Sequence, residues 1–152
     1  MTIACDATSL VDAESERGEG RMLRPLLEFL RQRRWLRDDT VVLKEFPVNG
    51  RRVDVSLLTR SGTSSAFELK LGGFARVLEQ ASYNARLFDR SWIVVGAHPK
   101  PVNVIEAEQF GIGILVHTTT GFQVIVRPRA LSVERQAQRR LVKRMRERAQ
   151  YV

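Results

Sequence analysis

Cysteine and histidine are nearly absent from this chain of 152 residues: it has one cysteine, Cys5, and two histidines, His98 and His117. One cysteine closes no internal disulfide, so the expectation is a fold held by its own core in a reducing, cytoplasmic setting. These three side chains do not supply the four ligands of a structural zinc site. No apolar run approaches the roughly 20 residues that a membrane helix needs. The first twenty residues, MTIACDATSLVDAESERGEG, have neither a basic start nor a continuous apolar stretch. They do not read as a secretory leader, and residues 1–18 are expected to be a flexible acidic lead-in.

Charge is plentiful and unevenly spread. The chain carries a formal net charge of +8. The first twenty residues are acidic, with Asp6, Asp12, Glu14, Glu16 and Glu19 against Arg17. From Arg127 to the end, nine basic residues face only Glu134 and Glu147. A basic C-terminal segment, residues 131–152, fits a polyanionic partner such as DNA, with Arg139, Arg140, Lys143 and Arg144 as candidate phosphate contacts. The chain length suits one domain with a real core, here residues 19–130.

Hydrophobic spacing gives the element order. Met22, Leu23, Leu26, Leu27 and Leu30 recur at helical intervals, with Pro25 tolerable only near the helix start. VVLKEFPV (41–48) and RRVDVSLLT (51–59) read as a hairpin about Asn49-Gly50, and SSAFELKL (64–71) as a third, central strand. Gly72-Gly73 then breaks the chain before a helix over 75–88. A strand at 91–97, a short helix at 102–111 closed by Gly111, strands at 112–118 and 122–128, and a helix at 132–150 with Ser132 as its N-cap complete the order. A meander followed by strand–helix alternation predicts an α/β fold, a three-layer α/β/α sandwich with a mixed central sheet.

Within AFELKLGGFARVLEQASYN (66–84), Glu68 and Lys70 sit two apart in an otherwise apolar strand and therefore share a face. Asp54 occupies the middle of the preceding strand. Two acids inside strands are costly unless a cation compensates for their desolvation, and Mg²⁺ is the natural partner for one or two carboxylates plus phosphate. Lys70 would then assist an attacking water or stabilise developing phosphate charge. Lys44 and Glu45 read as an exposed pair, and His117 as a structural histidine.

Asp54 followed by Glu68-Leu69-Lys70 resembles the D…(D/E)-x-K core of the PD-(D/E)xK nuclease superfamily, whose members share a restriction endonuclease-like fold. The resemblance covers roughly residues 19–127 in element order. It implies a Mg²⁺-dependent DNA endonuclease, with Mn²⁺ able to substitute, acting on DNA structure or without specificity. Asp54, Glu68 and the Leu69 backbone carbonyl would be metal ligands, and Lys70 the catalytic lysine. A first-helix acid often joins such sites; Glu19 falls on the core-facing stripe if the helix extends that far, Glu16 is an alternative, and Glu28 lies off the stripe. Gln80 and Tyr83 resemble the Gln and Tyr that some members carry on the next helix, at a spacing one shorter than usual. Val53 stands where the motif has proline. Arg51 and Arg52 at the hairpin are candidate phosphate contacts. A homodimer is compatible with the resemblance, and a catalytically silent DNA-binding or regulatory protein on the same fold is the alternative.

Overall fold

The structure, a computed structural model, describes residues 18–130 and 134–150. The acidic lead-in and Ser132 lie outside these. A 3-10 turn, Gly18–Met22, leads into α1 (Leu23–Gln32), then β1 (Val41–Val48), β2 (Arg51–Leu58), β3 (Ser64–Lys70) and α2 (Phe74–Asn84). The chain continues through β4 (Arg90–Val95), α3 (Pro101–Gln109), β5 (Gly113–Thr118), β6 (Gly121–Val126) and α4 (Arg135–Ala149). Pro25 falls in the first turn of α1, where its missing N–H has no intrahelical acceptor to lose. The helix expected to reach residue 88 stops at Asn84, and short turns carry the chain on to β4.

The six strands form one sheet in sequential order, β1 to β6. β1, β2 and β3 are antiparallel, β3 to β5 are parallel, and β6 returns antiparallel. The sheet is therefore mixed, as the meander-then-alternation pattern requires. Asn49 and Gly50 both take positive φ (49° and 77°), the requirement of the tight hairpin that an Asn-Gly pair favours.

Alternation along the strands separates two cores. Val55, Leu57, Phe67, Leu69, Trp92, Val94 and Leu115 face α1, whose Leu26, Leu27 and Leu30 are fully buried against them. On the opposite face, Ile93, Val95, Ile114 and Val116 pack with α2 and α3. There, too, Leu141 and Met145 of α4 cover Val41, Leu43, Leu58 and Ala66. The result is three layers, α1, sheet, then α2 to α4. Each fully buried leucine contributes roughly 1.5–3 kcal/mol of transfer free energy.

Asp89 ties three elements together. One carboxylate oxygen accepts the Ser64 N–H at 2.8 Å and the Ser64 hydroxyl at 3.3 Å; the other accepts the Gln138 amide of α4. The Asp89 N–H in turn donates to Ser64 Oγ at 3.0 Å. The edge strand β1 is irregular: Glu45 has φ 55°, so Phe46 and Val48 join Val41 and Leu43 in one cluster instead of alternating with them. The carbonyl of Pro47 accepts the Arg144 guanidinium at 2.7 Å.

Candidate active site

Leu58 of β2 and Ala66 of β3 pack on the α4 face, and alternation from Ala66 carries Glu68 and Lys70 of β3 to the same face. The register follows from Val55 pairing with Phe67 and Ser56 with Ala66, which sets Asp54 across from Glu68. At this point backbone pairing gives way to side-chain bonds. The Asp54 N–H donates to Glu68 Oε1 at 3.2 Å, and the Leu69 N–H donates to Asp54 Oδ2 at 2.8 Å. Each acid thus holds the strand that carries the other. Because N–H and C=O of one residue project to the same side of a strand, the Leu69 carbonyl also turns toward β2.

Glu68 is only 2% exposed, while Asp54 and Lys70 are half-buried. The Glu68 carboxyl is pushed up to about 8, first by burial and then by the neighbouring Asp54 charge. The Asp54 N–H and the Arg51 guanidinium pull in the other direction, and Glu45 adds a small upward push. At neutral pH the unliganded pair therefore holds a proton on Glu68. Two adjacent carboxylates whose charges oppose one another are suited to a divalent cation, whose charge would replace that proton.

The elements around the pair supply further groups. Arg51, at the start of β2, places its guanidinium 4.4 Å from the centre of the Tyr83 ring and donates to the Gln80 backbone carbonyl at 3.5 Å. It is therefore a brace between the hairpin and α2, and Tyr83, 43% exposed, is its platform. Gln80 is half-buried and Arg52 exposed. Gly73 starts α2 in the left-handed region (φ 71°), with Lys70 Cε 3.8 Å from where a Cβ would stand.

The expected first-helix acid is not an α1 residue. α1 begins at Leu23, so the 100° spacing that put Glu19 on its buried stripe does not run back through the preceding 3-10 turn. The side chain of Glu19 and all of Glu16 lie outside what is described, and Glu28 is exposed. Among the described residues, no three His, Cys, Asp or Glu side chains converge as a metal group, so Asp54 and Glu68 are the acids available. Glu45, expected to be exposed, is exposed, and it lies between the partners of Val55 and Val53 and hence across from Asp54.

α4 lies along β1 with Arg139, Arg140 and Lys143 exposed, whereas Arg144 is engaged with Pro47 and with the Phe46 ring 5.5 Å away. His117 stacks on its cross-strand partner Phe122 at 4.6 Å, a packing role. Two buried polar side chains near this face have no hydrogen-bond partner: Ser56 on β2 and Asn84 on the buried stripe of α2.

Comparison with known proteins bears on the fold and the family. A solved structure described as the SPO1766 protein of unknown function from Silicibacter pomeroyi aligns with TM-score 0.61 at 18% identity, covering 89% of this chain and 88% of that one. The Pyrococcus furiosus SfsA structure in complex with Ca²⁺ aligns with TM-score 0.37 at 19% identity, over 76% of this chain and 62% of that one. No curated protein sequence matches. The first of these likenesses supports the three-layer α/β architecture, and no helix among the described residues is long and apolar enough to cross a membrane. The family model for bacteriophage P4 protein cII matches residues 13–149, nearly the whole chain, and this protein belongs to that family.

Proposed function

We propose that this protein is a divalent-metal-dependent DNA nuclease of the PD-(D/E)xK type, acting on DNA structure or without sequence preference in the cytoplasm. One observation carries the reading: Asp54 and Glu68 are bonded to each other's strands, with Glu68 buried and kept protonated by its surroundings. Such a pair weakens the fold unless a cation uses it. Mg²⁺ or Mn²⁺ fits two carboxylates with the Leu69 carbonyl alongside, the remaining positions being filled by water and phosphate.

A cation held there would polarise a phosphodiester and lower the pKa of a bound water. Asp54 and Glu68 orient the site through their backbone bonds, which fix both carboxylates before any substrate arrives. Lys70, on the same strand face as Glu68, carries the positive charge that would stabilise the pentavalent oxyanion or orient the water. Gln80 would position phosphate or water from α2, and Tyr83 with Arg51 would form the rim toward the DNA backbone. Arg52 and the exposed Arg139, Arg140 and Lys143 supply sequence-independent attraction for phosphate.

The test is cleavage of supercoiled plasmid and of branched or flapped DNA with Mg²⁺ or Mn²⁺, wild type beside Lys70→Ala. Cleavage by the wild type alone supports the assignment; equal cleavage by both removes Lys70 from the chemistry. A second reading, a catalytically silent DNA-binding or regulatory protein, is favoured by the convergence of only two acids among the described residues. Calorimetric titration separates the two: saturable Mg²⁺ or Mn²⁺ binding lost in Asp54→Asn supports the nuclease, and no metal binding supports the silent protein.

A further inference from the structure

On the other face of the sheet, at the opposite end of β2 and β3 from the acid pair, lies a cleft of about 1010 Å³. This is at the upper end of the size range of small-molecule sites. Five arginines from four segments line it: Arg34 and Arg37 in the α1–β1 connection, Arg60 after β2, Arg90 at the start of β4 and Arg127 after β6. Asp39 is the one carboxylate in the lining. Among the described residues, none of the five guanidiniums is ion-paired, and all five side chains are exposed. Five arginines against one carboxylate give the cleft an excess of positive charge suited to an anion with several oxygens, which guanidinium forks bind bidentately.

Two further observations narrow the anion. Arg34 has φ 61° and closes α1 in the left-handed position that normally falls to glycine. The chain thus tolerates a strained backbone in order to keep an arginine at the mouth of the cleft. The floor is aromatic: Phe67 and Trp92 lie nearly parallel (3°, centroids 6.1 Å apart), and Trp35 leans on Trp92 at 5.4 Å and 31°. Trp92 is buried while Trp35 is half-buried at the lining, the outermost ring of the file. We propose that this cleft binds a nucleoside phosphate, its phosphates on the arginines and its base against Trp35. The ligand is either a free nucleotide or the phosphorylated end of a nucleic-acid strand.

Both tryptophans of the chain line this cleft, so intrinsic fluorescence reports on it and not on the acid pair. The experiment titrates the full chain with ATP, pyrophosphate, adenosine and a short 5′-phosphorylated oligonucleotide, following fluorescence and binding heat. Saturable quenching by ATP is expected, with adenosine and pyrophosphate each at least roughly ten-fold weaker, because each lacks one half of the recognition. The double variant Arg90→Ala/Arg127→Ala should weaken ATP at least ten-fold, and Asp54→Asn should leave it unchanged. An oligonucleotide binding more tightly than ATP identifies the strand end; ATP binding as tightly or more so identifies the free nucleotide. Neither a fluorescence change nor heat with ATP and the oligonucleotide, or affinities untouched by the double variant, would overturn the proposal. Because Asp54→Asn is carried alongside, failure here is distinguishable from failure of the nuclease reading.

Discussion

The amide of Asp54 donates to the Glu68 carboxylate while the Asp54 carboxylate accepts the amide of Leu69, the residue after Glu68. Each acid is therefore both a chemical group and a rung of the β2–β3 ladder. Removing one should disturb the geometry of the other.

Stability should fall as pH rises. Glu68 ionises near 4.5 in the unfolded chain and near 8 in the fold. Between these values the folded state binds the extra proton, so raising pH favours unfolding, by up to roughly 5 kcal/mol when the whole window is crossed. Glu68→Gln keeps an acceptor for the Asp54 amide and should flatten this slope while raising stability at pH 8. Urea denaturation at intervals from pH 5 to 9 measures both; an unchanged slope in Glu68→Gln would show that Glu68 is not its source.

Divalent cations should reverse the same effect. Mg²⁺ or Mn²⁺ bound at the pair would compete with the proton on Glu68, so the cation-induced rise in Tm should be larger at pH 8 than at pH 6. Asp54→Asn and Glu68→Gln should each remove most of it. Thermal melts with millimolar cation against a chelator control test this directly.

Arg34→Gly should be stabilising. Glycine adopts φ 61° without steric cost, so a gain of about 0.5–1 kcal/mol is expected from relieving the left-handed arginine, less any loss through a freer unfolded chain. The same variant should bind ATP more weakly than the wild type. A rise in stability with a fall in affinity would separate a ligand-binding arginine from one kept for folding.

Gly113→Ala should be strongly destabilising. A Cβ there would stand 2.5 Å from the Trp92 ring and 2.8 Å from the Pro128 side chain. Moving a buried indole costs about 1–3 kcal/mol or more. Urea denaturation gives the loss, and a shifted tryptophan emission maximum would identify Trp92 as the side chain displaced.

Asp89→Ala should cost about 2–3 kcal/mol, because it releases the Ser64 amide and hydroxyl and the Gln138 amide together. Hydrogen exchange should show α4 loosening before the sheet does.

What could be read from the sequence was local. The first three strands follow from apolar runs around Asn49-Gly50 and Ser61-Gly62; alternation put Glu68 and Lys70 on one face, and the hairpin pairing brought Asp54 across from Glu68. The end of α2 was not legible, because Ala85 and Phe88 continue the apolar spacing although the helix stops at Asn84. Nor was the start of α1, since a 3-10 turn and an α-helix tolerate the same residues over five positions. The arginine cleft was invisible for a different reason. Its five arginines come from positions 34 to 127 and border one cleft only through the strand order, so no window of sequence contains the pattern.

The irregularities of β1 bear on how the protein behaves when crowded. An edge strand invites a neighbouring chain to extend the sheet, which is how fibres begin. Here the invitation is withdrawn at two places: Glu45 turns the backbone out of the pleat, and Pro47 offers no N–H while Arg144 already occupies its carbonyl. Sheet extension from the β1 edge is therefore disfavoured, and concentrating the protein should not seed amyloid growth from this edge.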